Sequence, residues 1–163
     1  MTTAMTMISL QHVYKSFDGK EVLHDMSIDV ERGESVVIVG GSGTGKSVTL
    51  KHIIGLLKPD RGRIFVDGEE INVMRPVELN RFRRRFGMAF QEGALFDSMS
   101  VFENIAFPLR RHTKMSEKEI RDRVEACIDK VHLHLDVAER RPSELSGGMR
   151  RRVGFARAIS LQP

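Results

Sequence analysis

Tryptophan is absent from this 163-residue chain, and tyrosine and cysteine each occur once. The lone thiol, Cys127, can close no intrachain disulfide and has no second cysteine for a thiolate zinc site, so a reducing compartment, the cytosol, is the expected setting. No window approaches the roughly 18 consecutive apolar residues of a spanning helix, and residues 1–10 lack both a basic leader and an apolar run of signal-peptide length. The chain therefore reads as neither inserted nor secreted. Aromatic residues make up only 6%, and none forms a rich stretch of the kind on which unpaired bases stack. No internal repeat or low-complexity linker is visible. What is present, 40% hydrophobic and 29% charged residues with 14 Gly, is ordinary globular composition for about one domain.

Lys and Arg number 26 against 22 Asp and Glu, a net charge of +4, and the excess is concentrated in Arg81, Arg83, Arg84, Arg85 and in Arg150, Arg151, Arg152. Such clusters raise nucleic acid or an acidic lipid surface as partners. Without interleaved aromatics they read better as solvated helix faces or as polyphosphate and partner contacts.

Two strands are predicted over residues 8–17 and 22–30, with Asp18-Gly19 as the hairpin turn. Residues 35–39 form a β-branched run without alternation, as in a strand buried on both faces, which implies a parallel, helix-covered sheet. The loop 40–45 leads into a helix over 46–57, where Leu50, Ile53, Ile54 and Leu57 recur at helical spacing and Lys58-Pro59-Asp60 ends the run. A strand over 62–67, a basic helix over 76–85 opened by Pro76, and a short buried strand over 87–90 follow. Helices are then predicted over 101–111 and 117–131, the second with Ser116 as N-cap and Glu119 at its third position. Residues 146–161 have helical periodicity, with Val153, Ala156, Arg157 and Ser160 on successive turns, and Gln162-Pro163 reads as a helix exit into a longer domain.

Gly40-Gly41-Ser42-Gly43-Thr44-Gly45-Lys46-Ser47 satisfies G-x-x-x-x-G-K-[ST] between a predicted strand and a predicted helix, the context that motif requires. The glycines let successive backbone N–H groups converge on a β-phosphate, which then sits on a helix N-terminus. Lys46 reaches the β- and γ-phosphates, and the Ser47 hydroxyl ligates Mg²⁺. Leu145-Ser146-Gly147-Gly148-Met149 opens the last helix as a second anion-binding terminus, with Ser146 as its cap. His132, His134 and Asp136 alternate, but without further ligands they read as surface residues near a turn.

The order of phosphate loop, Gln91 at a strand end and Ser146-Gly147-Gly148 resembles the nucleotide-binding subunit of an ABC transporter, across essentially the whole chain. The resemblance implies an α/β fold: a P-loop NTPase core with an N-terminal antiparallel β hairpin and an α-helical subdomain, incomplete at the C-terminus. Residues 1–91 would be the core, 92–145 the helical subdomain and 146–163 the signature helix. It implies ATP and Mg as cofactors, Phe17 stacking on adenine, and Gln91 as the Q-loop glutamine that touches Mg²⁺ and the attacking water. Ser146, Gly147 and Gly148 would bind the γ-phosphate of ATP held by the other subunit of a head-to-tail homodimer. Met149 stands where the family usually has Gln, and this narrows the subfamily.

The segment from Gln91 to Arg110 is similar to the ATPases of Mce-associated lipid transporters, including those of outer-membrane lipid asymmetry and toluene tolerance. Leu95, Phe96, Phe102 and Phe107 are expected to expose an apolar surface for a helix of a membrane permease, so the protein would be cytoplasmic and peripheral on the inner membrane. An ABC-type DNA-maintenance ATPase and an inactive nucleotide-binding module are the rival readings; the apolar segment favours a membrane partner over nucleic acid. The family's Walker B Asp, general-base Glu and switch His all follow the signature helix, so no catalytic residue is expected within these 163 residues. A chain lacking the strands beside residues 35–39 is further expected to associate, by a non-native or strand-swapped dimer.

Overall fold

The computed structural model describes residues 6–163, which form two compact units, one ending at Arg83 and the other running from Arg84 to Pro163. In the first, β1 (Thr6–Phe17) and β2 (Lys20–Glu31) form an antiparallel hairpin. Asp18 (φ 49°) and Gly19 (φ 77°) both take positive φ, the turn whose twist matches that of the flanking strands. Across the other edge of β1 lies β3 (Arg61–Val66), followed by β4 (Glu69–Glu70), giving the order β2-β1-β3-β4 with every described pairing antiparallel. Leu10, Val13, Ile64 and Val66 are fully buried along this sheet.

Two predicted strands do not form. Residues 35–39 are irregular, with Val37 and Val39 80% and 84% exposed, and residues 87–90 are likewise irregular, with Phe90 exposed. A strand buried on both faces needs paired neighbours and covering layers, and the described residues supply no parallel partner to either segment.

The helix after the phosphate loop, α1 (Lys46–Ile53), is shorter than its apolar periodicity predicts. Gly55 takes φ 67°, its N–H bonds the His52 carbonyl (2.9 Å), and the Leu56 N–H bonds the Lys51 carbonyl (2.8 Å). These are the two bonds of a Schellman cap, so Gly55, rather than Pro59, ends the helix. The basic helix also shortens, to α2 (Pro76–Phe82) with a 3₁₀ turn over Arg83–Arg85.

The second unit packs α3 (Val101–His112), α4 (Glu117–Lys130) and α5 (Gly147–Ile159) around Val101, Ile105, Leu109, Ile120, Val124 and Val153. Reciprocal capping boxes start α3 and α4: Ser100 with Glu103, and Ser116 with Glu119 as predicted. His134 caps a 3₁₀ turn and bonds Asp136 (2.9 Å), which also pairs with Arg140 (2.6 Å). Among the described residues no group of His, Cys, Asp or Glu is placed to hold a metal ion, and no helix is long and apolar enough to cross a membrane.

His52, on the buried face of α1, is fully inaccessible, and its ring bonds the Val48 carbonyl at 2.8 Å. Burial pushes its pKa below the ordinary 6.5, partly offset by the Val48 and Lys58 carbonyls and by Asp60, while Lys15 reinforces the lowering. The folded state then binds fewer protons than the unfolded chain, so the stability this neutral ring contributes is present above about pH 6.5 and is lost as pH falls through the lower folded value. Urea unfolding between pH 7.5 and 5 is expected to show this decline in the parent, and a flatter profile in His52→Gln.

Candidate nucleotide site

The phosphate loop is exposed along its backbone, and its conformation is set from below. Gly45, the N-cap of α1, takes φ 88° and is buried; a Cβ there would meet Leu23 Cδ2 at 2.7 Å and the Val22 carbonyl at 3.0 Å. Only glycine lets the loop lie this close to β2. The Thr49 N–H and hydroxyl both bond the Gly45 carbonyl (2.8 and 3.1 Å), fixing the first turn, while no side chain caps α1. Its first-turn N–H groups thus point out of the helix end, where the dipole favours an anion. Lys46 turns back across the loop, donating to the Gly40 carbonyl at 2.8 Å and to that of Gly41, and Thr44 Oγ1 donates to the Gly41 carbonyl at 2.9 Å. Ser47 is exposed beside it.

Phe17 ends β1 with its ring 40% exposed, the Lys15 ammonium 5.4 Å from the ring centroid. Lys15 is paired in the ladder with Leu23, the residue on which Gly45 rests. The aromatic and the phosphate loop are therefore tied to the same stretch of the hairpin.

In the second unit, Gln91 is exposed in a turn, and its carbonyl accepts from Arg151 Nε of α5 at 3.0 Å. The chain after Gln91 lies backbone to backbone on that helix. A Cβ on Gly93 would meet the Arg150 carbonyl at 2.5 Å, and one on Gly154 would meet Gly93 Cα at 2.7 Å. Arg157, half-buried, donates to the carbonyls of Gly93 (3.0 Å) and Ala94 (2.8 Å) and to Asn104 Oδ1 (3.3 Å), and burial lowers its pKa from the ordinary guanidinium value. Asn104 is fully buried; it accepts from the Phe96 N–H (2.8 Å) and donates to the Phe96 carbonyl (3.1 Å). Ser146 caps α5 by accepting from the Met149 N–H at 3.3 Å, and the Met149 side chain packs against the helical core. Phe17 and the phosphate loop are brought together in one unit, Gln91 and Ser146-Gly147-Gly148 in the other.

The second arginine cluster is spent on backbone: Arg150 on the Leu145 carbonyl (2.6 Å), Arg151 on Gln91, and Arg152 on the His132 carbonyl (2.8 Å). The expected apolar surface after Gln91 is smaller than the sequence implied. Phe96 and Phe107 are each 43% exposed and in contact (centroids 5.0 Å apart), whereas Leu95 and Phe102 pack against the helical core, Phe102 beneath the guanidiniums of Arg110 and Arg121.

The ABC transporter family model matches residues 23–163. The chain belongs to the ABC transporter family. It is 48% identical over 156 residues to the probable ribonucleotide transport ATP-binding protein mkl of Mycobacterium leprae, covering 96% of this chain and 45% of that protein. It is 40% identical over 157 residues to the intermembrane phospholipid transport system ATP-binding protein MlaF of Escherichia coli, covering 96% and 58%. The chain thus spans about half the length of these curated relatives. The dimeric ATP-binding cassette MJ0796 bound to ADP and Pi superposes with a TM-score of 0.89 at 34% identity, covering 96% of this chain and 71% of that one. The α/β fold with its N-terminal antiparallel sheet and helical part is that of these cassettes.

Asn104 and the buried role of Arg157 escape the motif reading, although each is a polar residue within an apolar helical stripe, the signal that would have found them. Asn104→Ala leaves the Phe96 N–H and part of the Arg157 guanidinium without their acceptor. It is expected to cost about 1–3 kcal/mol in urea unfolding. The Phe96 amide should exchange faster while the α4 amides keep their protection.

Proposed function

We propose that this chain is the ATP-binding part of an ABC transporter subunit that powers movement of phospholipid or another hydrophobic compound at the inner membrane. The observation that carries the reading is the loop 40–47, whose Gly45 seats it on β2 and whose Lys46 reaches back over it. Its backbone donors and ammonium fit a polyphosphate. ATP would be held by Gly40 to Gly45 and Lys46, with Phe17 stacking on adenine. The Ser47 hydroxyl assigned to Mg²⁺ is an oxygen donor, as a hard cation prefers. Bound Mg²⁺ would neutralise charge developing on the phosphates. Ser146, Gly147 and Gly148 would take the γ-phosphate of the other subunit's nucleotide in a head-to-tail dimer.

The proposed functional division is residues 1–91 as core, 92–145 as helical subdomain and 146–163 as signature helix. The exposed pair Phe96 and Phe107 supports a permease helix as partner on the cytoplasmic face, and the engagement of Arg150, Arg151 and Arg152 with backbone carbonyls weighs against nucleic acid. The lipid substrate rests on the subfamily resemblance and on relatives named for phospholipid transport, such as that of Escherichia coli; the mycobacterial relatives are named for ribonucleotide transport.

General-base catalysis contributes about 10²- to 10⁴-fold, and the family's base is not among these residues, so binding without turnover is the expected behaviour of this chain. A Mg-ATP titration beside Lys46→Ala, with phosphate release followed in the same samples, tests it. Binding by the parent alone, without release, is expected. Steady turnover abolished by Lys46→Ala would overturn the proposed inactivity, and absence of binding by the parent would overturn the assignment of the loop.

A further inference from the structure

We propose that Asp60 is the positioning residue for the base-binding end of the nucleotide site, a role that rests on the reading of Phe17 as the aromatic that stacks on adenine. Phe17 is the last residue of β1, paired with Lys20 across the Asp18-Gly19 turn but without a partner on the β3 side. On the β3 side the ladder ends at Tyr14 opposite Arg61, and on the β2 side the register shifts between Val13 and Lys15 and again between Lys15 and Ser16. The last residues of β1 are therefore held by backbone pairing on one side only, through an irregular ladder, and the ring plane at Phe17 depends on what holds the other side.

Asp60 supplies the missing edge. It stands immediately before β3, and its N–H bonds the Tyr14 carbonyl at 2.9 Å, extending the ladder by one residue. Beyond that point its carboxylate takes over from the backbone: Oδ2 accepts from the Ser16 N–H at 2.7 Å and Oδ1 accepts from Lys15 Nζ at 2.7 Å. One residue therefore holds the three that precede Phe17, by one backbone bond and two bonds to its carboxylate. The Lys15 bond, followed by that of the Ser16 N–H, keeps the carboxyl below its ordinary pKa, so it remains an anion. The ammonium it fixes is the one lying 5.4 Å from the Phe17 centroid, with only 17% of the Lys15 side chain exposed. Lys15 thus occupies one face of the ring, and a base takes the other.

Exposure decides that this is positioning more than stability. The Asp60 side chain is 45% exposed, and ion pairs of that kind contribute little to folding, whereas a stacking contact depends on the ring being held still. The consequence is a residue that touches neither phosphate nor base but governs how much the base adds to binding.

The test compares the dissociation constants of Mg-ATP and of Mg-tripolyphosphate, which has no base, for the parent chain, Phe17→Ala, Asp60→Ala, Asp60→Asn and Lys15→Met. Stacking on an aromatic is worth about 5- to 150-fold in affinity. Phe17→Ala should lose that factor for ATP and leave tripolyphosphate within about twofold. Asp60→Ala should lose at least about a third of the same factor on a logarithmic scale, again with tripolyphosphate within about twofold. Equal weakening of both ligands, or no change in either, would overturn the inference and leave Asp60 a structural residue. If Asp60→Ala binds neither ligand because it does not fold, Asp60→Asn and Lys15→Met decide: an ATP-selective loss sustains the role and its absence removes it. A Phe17→Ala chain that keeps full preference for ATP would instead refute the stacking assignment, an outcome separate from any result at Asp60.

Discussion

A loop that must stay open to a ligand cannot pair its backbone with itself, and a strand or helix that ends beside such a loop leaves further N–H and carbonyl groups unpaired. In this chain charged side chains take over that pairing. Lys46 spans the carbonyls of Gly40 and Gly41, Asp60 accepts the Ser16 N–H, and Arg157 gathers the carbonyls of Gly93 and Ala94. Arg150, Arg151 and Arg152 do the same for Leu145, Gln91 and His132. Much of the basic surplus that could be read as an affinity for nucleic acid is therefore committed internally, to backbone carbonyls.

These clamps differ in what they contribute. Lys15 and Asp60 are partly solvated, so water competes for their charges and the gain is geometry more than energy. Arg157 is half-buried and donates to neutral carbonyl oxygens, which compensate its desolvation only through several bonds at once. That requirement explains why Asn104 is buried with it. The amide oxygen serves both the Phe96 N–H and Arg157, and its NH₂ donates to the Phe96 and Ser100 carbonyls, so both ends of the segment before α3 are tied down. Gly93 and Gly154 then make the backbone contact that brings the arginine within reach.

What was legible in the sequence was local. The Asp18-Gly19 turn, the Ser116 and Glu119 capping box and the glycine-rich loop that opens α1 are specified by a few adjacent residues, and each forms where its residues place it. The strand assigned to residues 35–39 was not of that kind. A β-branched run states only that a segment suits a buried strand, while pairing is a property of distant residues, and Val37 and Val39 stand exposed. The end of α1 was local too, yet its signal was Gly55, masked by apolar periodicity that continues to Leu57 and by the nearby Pro59. Phe102 shows the reverse: an aromatic at helical spacing in the segment after Gln91 packs against the core it was expected to leave.

The two helix termini proposed to meet phosphate are built differently, and the difference is consistent with their separate roles. At α1 no side chain caps the helix, so its first-turn donors are left to a ligand, and Gly45 allows the chain to turn there without a side chain in the way. At α5, Ser146 already accepts from the Met149 N–H. That bond uses a lone pair of the hydroxyl and leaves its proton to be donated, so Ser146 can cap its own helix and still give a hydrogen bond to a phosphate oxygen. A terminus of this second kind is ordered before any nucleotide arrives. It needs no ligand to hold its shape, as befits a surface that in the proposed dimer would complete a site formed by another subunit.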